Sequence, residues 1–115
     1  ELGHVDVEEK YLNRVKEGFR AVVSYGLGTQ YMGSYQSIGA GKTGTSQSFI
    51  DTNNDGTVDT ETITTSFVGY APYDNPQMSI VVISPDVADA SAETTSGINK
   101  RLSSKIVNKY FEIYK

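Results

Sequence analysis

The sequence predicts an α/β layered domain of the α+β type, running helix, three antiparallel strands, helix. Three observations carry that expectation. Apolar residues recur at helical spacing near each end of the chain, and the middle is rich in threonine, serine and β-branched or aromatic residues. Short, turn-forming connections join the central segments, which favours antiparallel neighbours over crossovers.

The first helix is expected over 7–25. Asp6-Val-Glu-Glu9 has the spacing of a capping box, with Asp6 as N-cap and Glu9 reaching back. Leu12, Val15, Phe19, Val22 and Val23 form its apolar stripe, and Gly26 and Gly28 are stop signals. Glu8, Lys10, Arg14, Lys16, Glu17 and Arg20 read as a solvated face. Strands are expected at about 38–50, 62–72 and 77–84. The run "QMSIVVIS" in the third is continuously apolar, as in a strand buried on both faces. "APYDNPQ" before it reads as a hairpin turn. "PDVADASAETTSG" reads as a loop of small and acidic residues. The last helix is expected over 96–114, with a stripe of Ile98, Leu102, Ile106, Tyr110 and Ile113 widened by Val107, Phe111 and Tyr114.

The chain of 115 residues supplies one small core and shows no internal repeat or linker, so residues 1–115 read as a single partial domain. A net charge of -4 and a pI near 4.8, with no basic cluster, exclude a nucleic-acid surface. No cysteine is present, so disulfides and thiolate metal sites are excluded. No apolar run approaches the roughly 18 residues that a membrane span needs. The start at Glu1, without a signal pattern, reads as a piece of something longer.

The chemistry concentrates in "AGKTGTSQ", Ala40–Gln47. Gly41-Lys42-Thr43 imitates the end of a P-loop, but the glycine required at position 36 is Gln36, and strand-like residues follow where a helix should begin. Lys-Thr-Gly on a strand is instead a motif of serine enzymes that recognise penicillin. Lys42 supplies a fixed positive charge, Thr43 and Thr45 supply hydroxyls for a carboxylate, and Gly44 lets a substrate backbone approach. The Thr45 N–H suits one of two oxyanion-hole donors.

With "TSFVGYAPYDNPQMSIVVISPDV" and "VKEGFRAVVSYG", this stretch resembles the C-terminal part of the transpeptidase domain of class B penicillin-binding proteins, from about Val7 to Tyr114. The resemblance implies a fragment of the β-lactamase/transpeptidase-like fold. It implies a parent D,D-transpeptidase in peptidoglycan synthesis, acylated on a serine by the D-Ala-D-Ala end of a stem peptide and inhibited by β-lactams. Lys42 and Thr45 then take catalytic roles. Lys42, Thr43, Gly44 and Thr45 bind substrate, with Gln47 further along the cleft. The parent would be anchored in the cytoplasmic membrane with this domain outside, and no cofactor is implied.

The sequence departs from that family in one large respect: no serine has a lysine three residues later. Ser84-Pro-Asp86 and Tyr73-Asp-Asn75 imitate the second motif but follow Lys-Thr-Gly instead of preceding it, and read as loop residues. The nucleophile and its base are therefore expected upstream, and the fragment alone is expected to be inactive. Without the remainder of the transpeptidase domain, an exposed sheet edge and apolar face predict a homodimer or strand-swapped oligomer. The alternatives are a serine β-lactamase or β-lactam sensor, or a non-catalytic interaction module carrying Lys-Thr-Gly by chance.

Asp51, Asn53, Asp55, Gly56 and Asp59 imitate a calcium loop, but position twelve is Thr62 and no helices flank it. A hairpin turn and a structural calcium both remain open there. His4 is the only histidine and reads as a tail residue. Among the eight tyrosines, Tyr31, Tyr35, Tyr70 and Tyr73 suit either a groove lining or half-buried packing.

Overall fold

The computed structural model describes residues 3–89, 91 and 97–114. A helix α1 (Glu9–Ser24) leads through a 3₁₀ turn (Gly33–Ile38) into strand β1 (Ala40–Ile50). Strands β2 (Thr60–Ala71) and β3 (Met78–Asp89) follow, and helix α2 (Ile98–Ile113) comes last. The sheet is antiparallel in the order β1-β2-β3, so the Lys-Thr-Gly strand is an edge. Residues 85–89 of the expected acidic loop belong to β3, while its residues 90 and 92–96, and the expected start of the last helix at Ser96, lie outside the described residues.

Side chains alternate across the strands, so the register sorts the sheet into rows. Thr43, Phe67 and Val82 make one row, and Thr45, Thr65 and Ser84 the next on the same face. That face carries the core. Phe67 is fully buried among Val23, Met32, Ile80, Val82, Val107 and Phe111. Tyr31 meets the Phe67 ring at 4.6 Å between centroids, and Tyr35 stacks on Phe111 at 4.3 Å. Burying one such aromatic contributes about 1.5–3 kcal/mol.

Much of the opposite face is bare among the described residues, although Ala40 at its start is fully buried. Lys42, Val68 and Val81 form one row on it, and Gly44, Ser66 and Ile83 the next. Val81 and Ile83 are 66% and 60% exposed, which corrects the expectation that the third strand is buried on both faces. Ile80 and Val82 turn inward, while the alternate residues meet no covering element. The strand also continues past position 84. Ser84-Pro-Asp86 therefore lies in β3 and not in a loop. A bulge between Ile63 and Thr65 shifts the register, and the Thr62 hydroxyl donates to Asp86 Oδ1 at 2.5 Å.

Both helices depart from their expected faces. The N-cap of α1 is Glu8, with no side-chain capping bond, so the Asp6 capping box does not form. Only Val23 of α1 is fully buried, and Tyr11, Leu12 and Val15 are exposed. In α2 the buried row is Asn99, Ser103, Val107 and Phe111, so Val107 and Phe111 of the expected face are inside while the row's first half is polar. Leu102, Ile106 and Ile113 point outward. The inner row begins with two polar residues whose partners lie inside the protein, a feature that hydrophobic periodicity does not register.

The β1–β2 connection is a turn built from its own side chains. Asp51 accepts from the backbone N–H of Asn53, Asp55 and Gly56, and Asp55 accepts from that of Thr57. Asp59 accepts from the hydroxyls of Thr52 and Thr60. These bonds hold the carboxyls of Asp51, Asp55 and Asp59 below the usual aspartate value, chiefly through Gly56, Thr57 and Thr60 respectively. Among the described residues, no group of three or more His, Cys, Asp or Glu is placed to hold a metal ion.

Candidate functional site

Among the described residues, the edge position of β1 leaves one side of its backbone without a strand partner. Lys42 is exposed on the bare face, and its Nζ donates to the Thr43 carbonyl at 2.5 Å. Thr43, Gly44 and Thr45 line a small cavity of about 70 Å³ whose other walls include Tyr31, Thr65 and Asn99. A more open groove of about 320 Å³ continues along Thr45, Ser46 and Gln47, bounded by Glu61 and Ile63. The five residues singled out in sequence all lie on this edge strand, with Thr43, Thr45 and Gln47 on the core face and Lys42 and Gly44 on the opposite one.

Gly44 faces Ser66 across the sheet, and a Cβ added at Gly44 would collide with the Ser66 hydroxyl but with no backbone atom. A serine hydroxyl can rotate away. Packing alone therefore leaves room for alanine.

Behind Thr45 stands a buried polar cluster. Thr65, its cross-strand neighbour, accepts a hydrogen bond from Asn99 Nδ2 at 3.1 Å. Ser84 donates to Asn99 Oδ1, and Ser103 donates to the Asn99 carbonyl at 2.5 Å. Asn99 is only 3% exposed, so the start of α2 is pinned to the back of the sheet by bonds sheltered from water. Sequence reasoning missed this cluster, and also missed Arg20. That side chain is not on a solvated face. It is half-buried, with its guanidinium donating to the carbonyls of Gln36, Ser37 and Gly39. Only a polar residue one turn before the helix end could have signalled it.

The four tyrosines take different places. Tyr31 and Tyr35 pack against the core, and Tyr31 also reaches the cavity beside Thr43. The Tyr70 hydroxyl is buried with no hydrogen-bond partner among the described residues, and burial, then the neighbouring Tyr73, pushes its pKa up.

Comparison with known proteins bears on the same span. The family model for the penicillin binding protein transpeptidase domain matches residues 1–108. Penicillin-binding protein 2A of Bacillus subtilis (strain 168) is 35% identical over 97% of this chain, which corresponds to 16% of that relative's length. Penicillin-binding protein 2B of Streptococcus pneumoniae serotype 2 is 29% identical over 96% of the chain. Penicillin-binding protein H of Bacillus subtilis is 28% identical over 99% of it. The chain spans 15% of the length of each of these last two. No solved structure matches the chain. A Lys-Thr-Gly motif on an edge strand, inside a match that runs almost end to end, leads to one conclusion: the chain belongs to the penicillin-binding protein transpeptidase domain family.

Proposed function

We propose that this chain forms one wall of the active site of a peptidoglycan D,D-transpeptidase, with Lys42-Thr43-Gly44-Thr45 as that wall. The observation that carries this reading is the motif's position, within a family-matched segment, on a strand edge that has no partner among the described residues. In the full reaction a serine hydroxyl supplied from elsewhere in the protein attacks the carbonyl between two D-alanines. The terminal D-alanine leaves as an amine carrying the proton, and an acyl-serine forms. An amine of a second stem peptide then attacks that ester, forms the cross-link and returns the serine hydroxyl. Lys42 contributes positive charge toward the nucleophile and the substrate carboxylate. Thr43 and Thr45 donate hydroxyls to that carboxylate. The Thr45 N–H is one of two donors to the developing oxyanion, a contribution worth about 10²–10³ in rate. Gln47 binds the stem further along the groove.

The serine and its base lie outside this chain, so the chain by itself does not turn over substrate. The parent acts on the outer side of the cytoplasmic membrane and binds β-lactams at the same serine. The bare sheet face supports a dimer or strand-swapped oligomer of the isolated chain. Intact-mass spectrometry after incubation with benzylpenicillin tests the reading. An adduct on the full-length protein and none on this chain is expected. An adduct on neither would return Lys-Thr-Gly to an ordinary surface strand.

A further inference from the structure

We infer that Arg20 is a positioning residue for the Lys-Thr-Gly strand, acting through main-chain carbonyls and touching no substrate. Its Nη1 donates to the carbonyls of Gln36 and Gly39, both at 3.0 Å, and its Nη2 donates to that of Ser37 at 2.5 Å. These carbonyls belong to the end of the 3₁₀ turn and to the residue immediately before β1. A planar guanidinium offers several N–H groups in fixed directions, so one side chain sets the path of this whole segment. Gln36 ties the same corner to α1, with its Nε2 donating to Ser24 O and its Oε1 accepting from Gln30 N.

The consequence falls on the motif. Lys42 lies three residues beyond Gly39, about 10 Å of extended chain. On its outer side β1 has no strand partner among the described residues, so β2 and the corner before Ala40 hold its course. Where the strand enters the sheet, together with its pairing to β2, therefore sets where the Lys42 charge and the Thr43 and Thr45 hydroxyls stand. None of the salt bridges among the described residues involves Arg20, so the guanidinium is given over to this corner.

The inference rests on the reading above, that Lys42, Thr43 and Thr45 receive a substrate carboxylate. The test uses the full-length protein, wild type and with Arg20→Gln or Arg20→Lys, acylated by benzylpenicillin or by its methyl ester. Saturation labelling counts the competent sites in each sample. Arg20→Gln is expected to slow acylation by the free acid about tenfold, as small misplacement of binding groups does. The ester, which has no carboxylate to place, should slow much less, so the acid-to-ester ratio falls. Arg20→Lys, with its charge but not its fork, should recover part of the ratio. An equal loss for both compounds, or an unchanged ratio in Arg20→Gln, overturns the positioning role. A wild-type protein that labels but does not prefer the acid overturns the carboxylate reading, and the inference falls with it. A wild type that does not label at all overturns the proposed function itself.

Discussion

At the scale of single residues, Gly44 separates packing from chemistry. A methyl group there meets only the rotatable Ser66 hydroxyl. Gly44→Ala should therefore change stability by less than about 1 kcal/mol. The same methyl stands out on the sheet face that carries Lys42, where it would meet a substrate reaching that charge. Acylation of the full-length protein by benzylpenicillin is expected to fall by about tenfold or more. Thermal melts and acylation kinetics on one preparation check this together. A large loss of stability with unchanged acylation would show that the glycine serves the sheet and not the cleft.

At the scale of elements, the β1–β2 turn makes a prediction about acid. Asp51, Asp55 and Asp59 have lowered pKa values in the folded chain, so near pH 3.8 the unfolded chain binds more protons. Their contribution is thus present at neutral pH and is lost as pH falls through the unfolded and then the folded values. The melting temperature should drop on acidification below about pH 5, and Asp51→Asn should flatten that drop. A variant that follows the wild-type curve would remove the turn from the account. The turn supplies its own donors, so millimolar calcium should leave the melt unmoved, whereas a rise would restore the calcium reading.

The elements also show what could be read ahead of the structure. Strand content and order were legible because threonine-rich, β-branched runs have no competing periodicity. The motif was legible because its residues are contiguous in sequence. The helix faces were legible only in part, through Val23, Val107 and Phe111. In α2, Asn99 and Ser103 hold inward positions that their polarity hides, while Leu102 and Ile106 point outward although their periodicity points them inward. Arg20 escaped notice because its partners are backbone carbonyls 16–19 residues away, and carbonyls leave no mark in a sequence.

At the scale of the whole molecule, three apolar surfaces stand in solvent. They are Tyr11, Leu12 and Val15 on α1, Val68, Val81 and Ile83 on the sheet, and Leu102, Ile106 and Ile113 on α2. Contiguous apolar area of this kind favours association. Light scattering on the isolated chain is expected to give a mass above that of one copy. Val81→Lys with Ile83→Lys should return it to a monomer without loss of helix or strand signal by circular dichroism, because neither residue supports the core. A wild-type chain that is monomeric at working concentration would count against this.

The anchoring of α2 through Asn99 reaches further than the cavity it borders. Rolling the helix by one residue, about 100°, would hide Leu102 and Ile106, which apolar attraction alone would favour. It would also leave Thr65, Ser84 and Asn99 without partners in a dry interior. The joint is therefore keyed, like a shaft that fits its hub in a single orientation, and apolar contacts can weaken without letting it slip. Such contacts fade on cooling, yet the alignment of helix against sheet behind Thr45 should hold in the cold as it does in warmth.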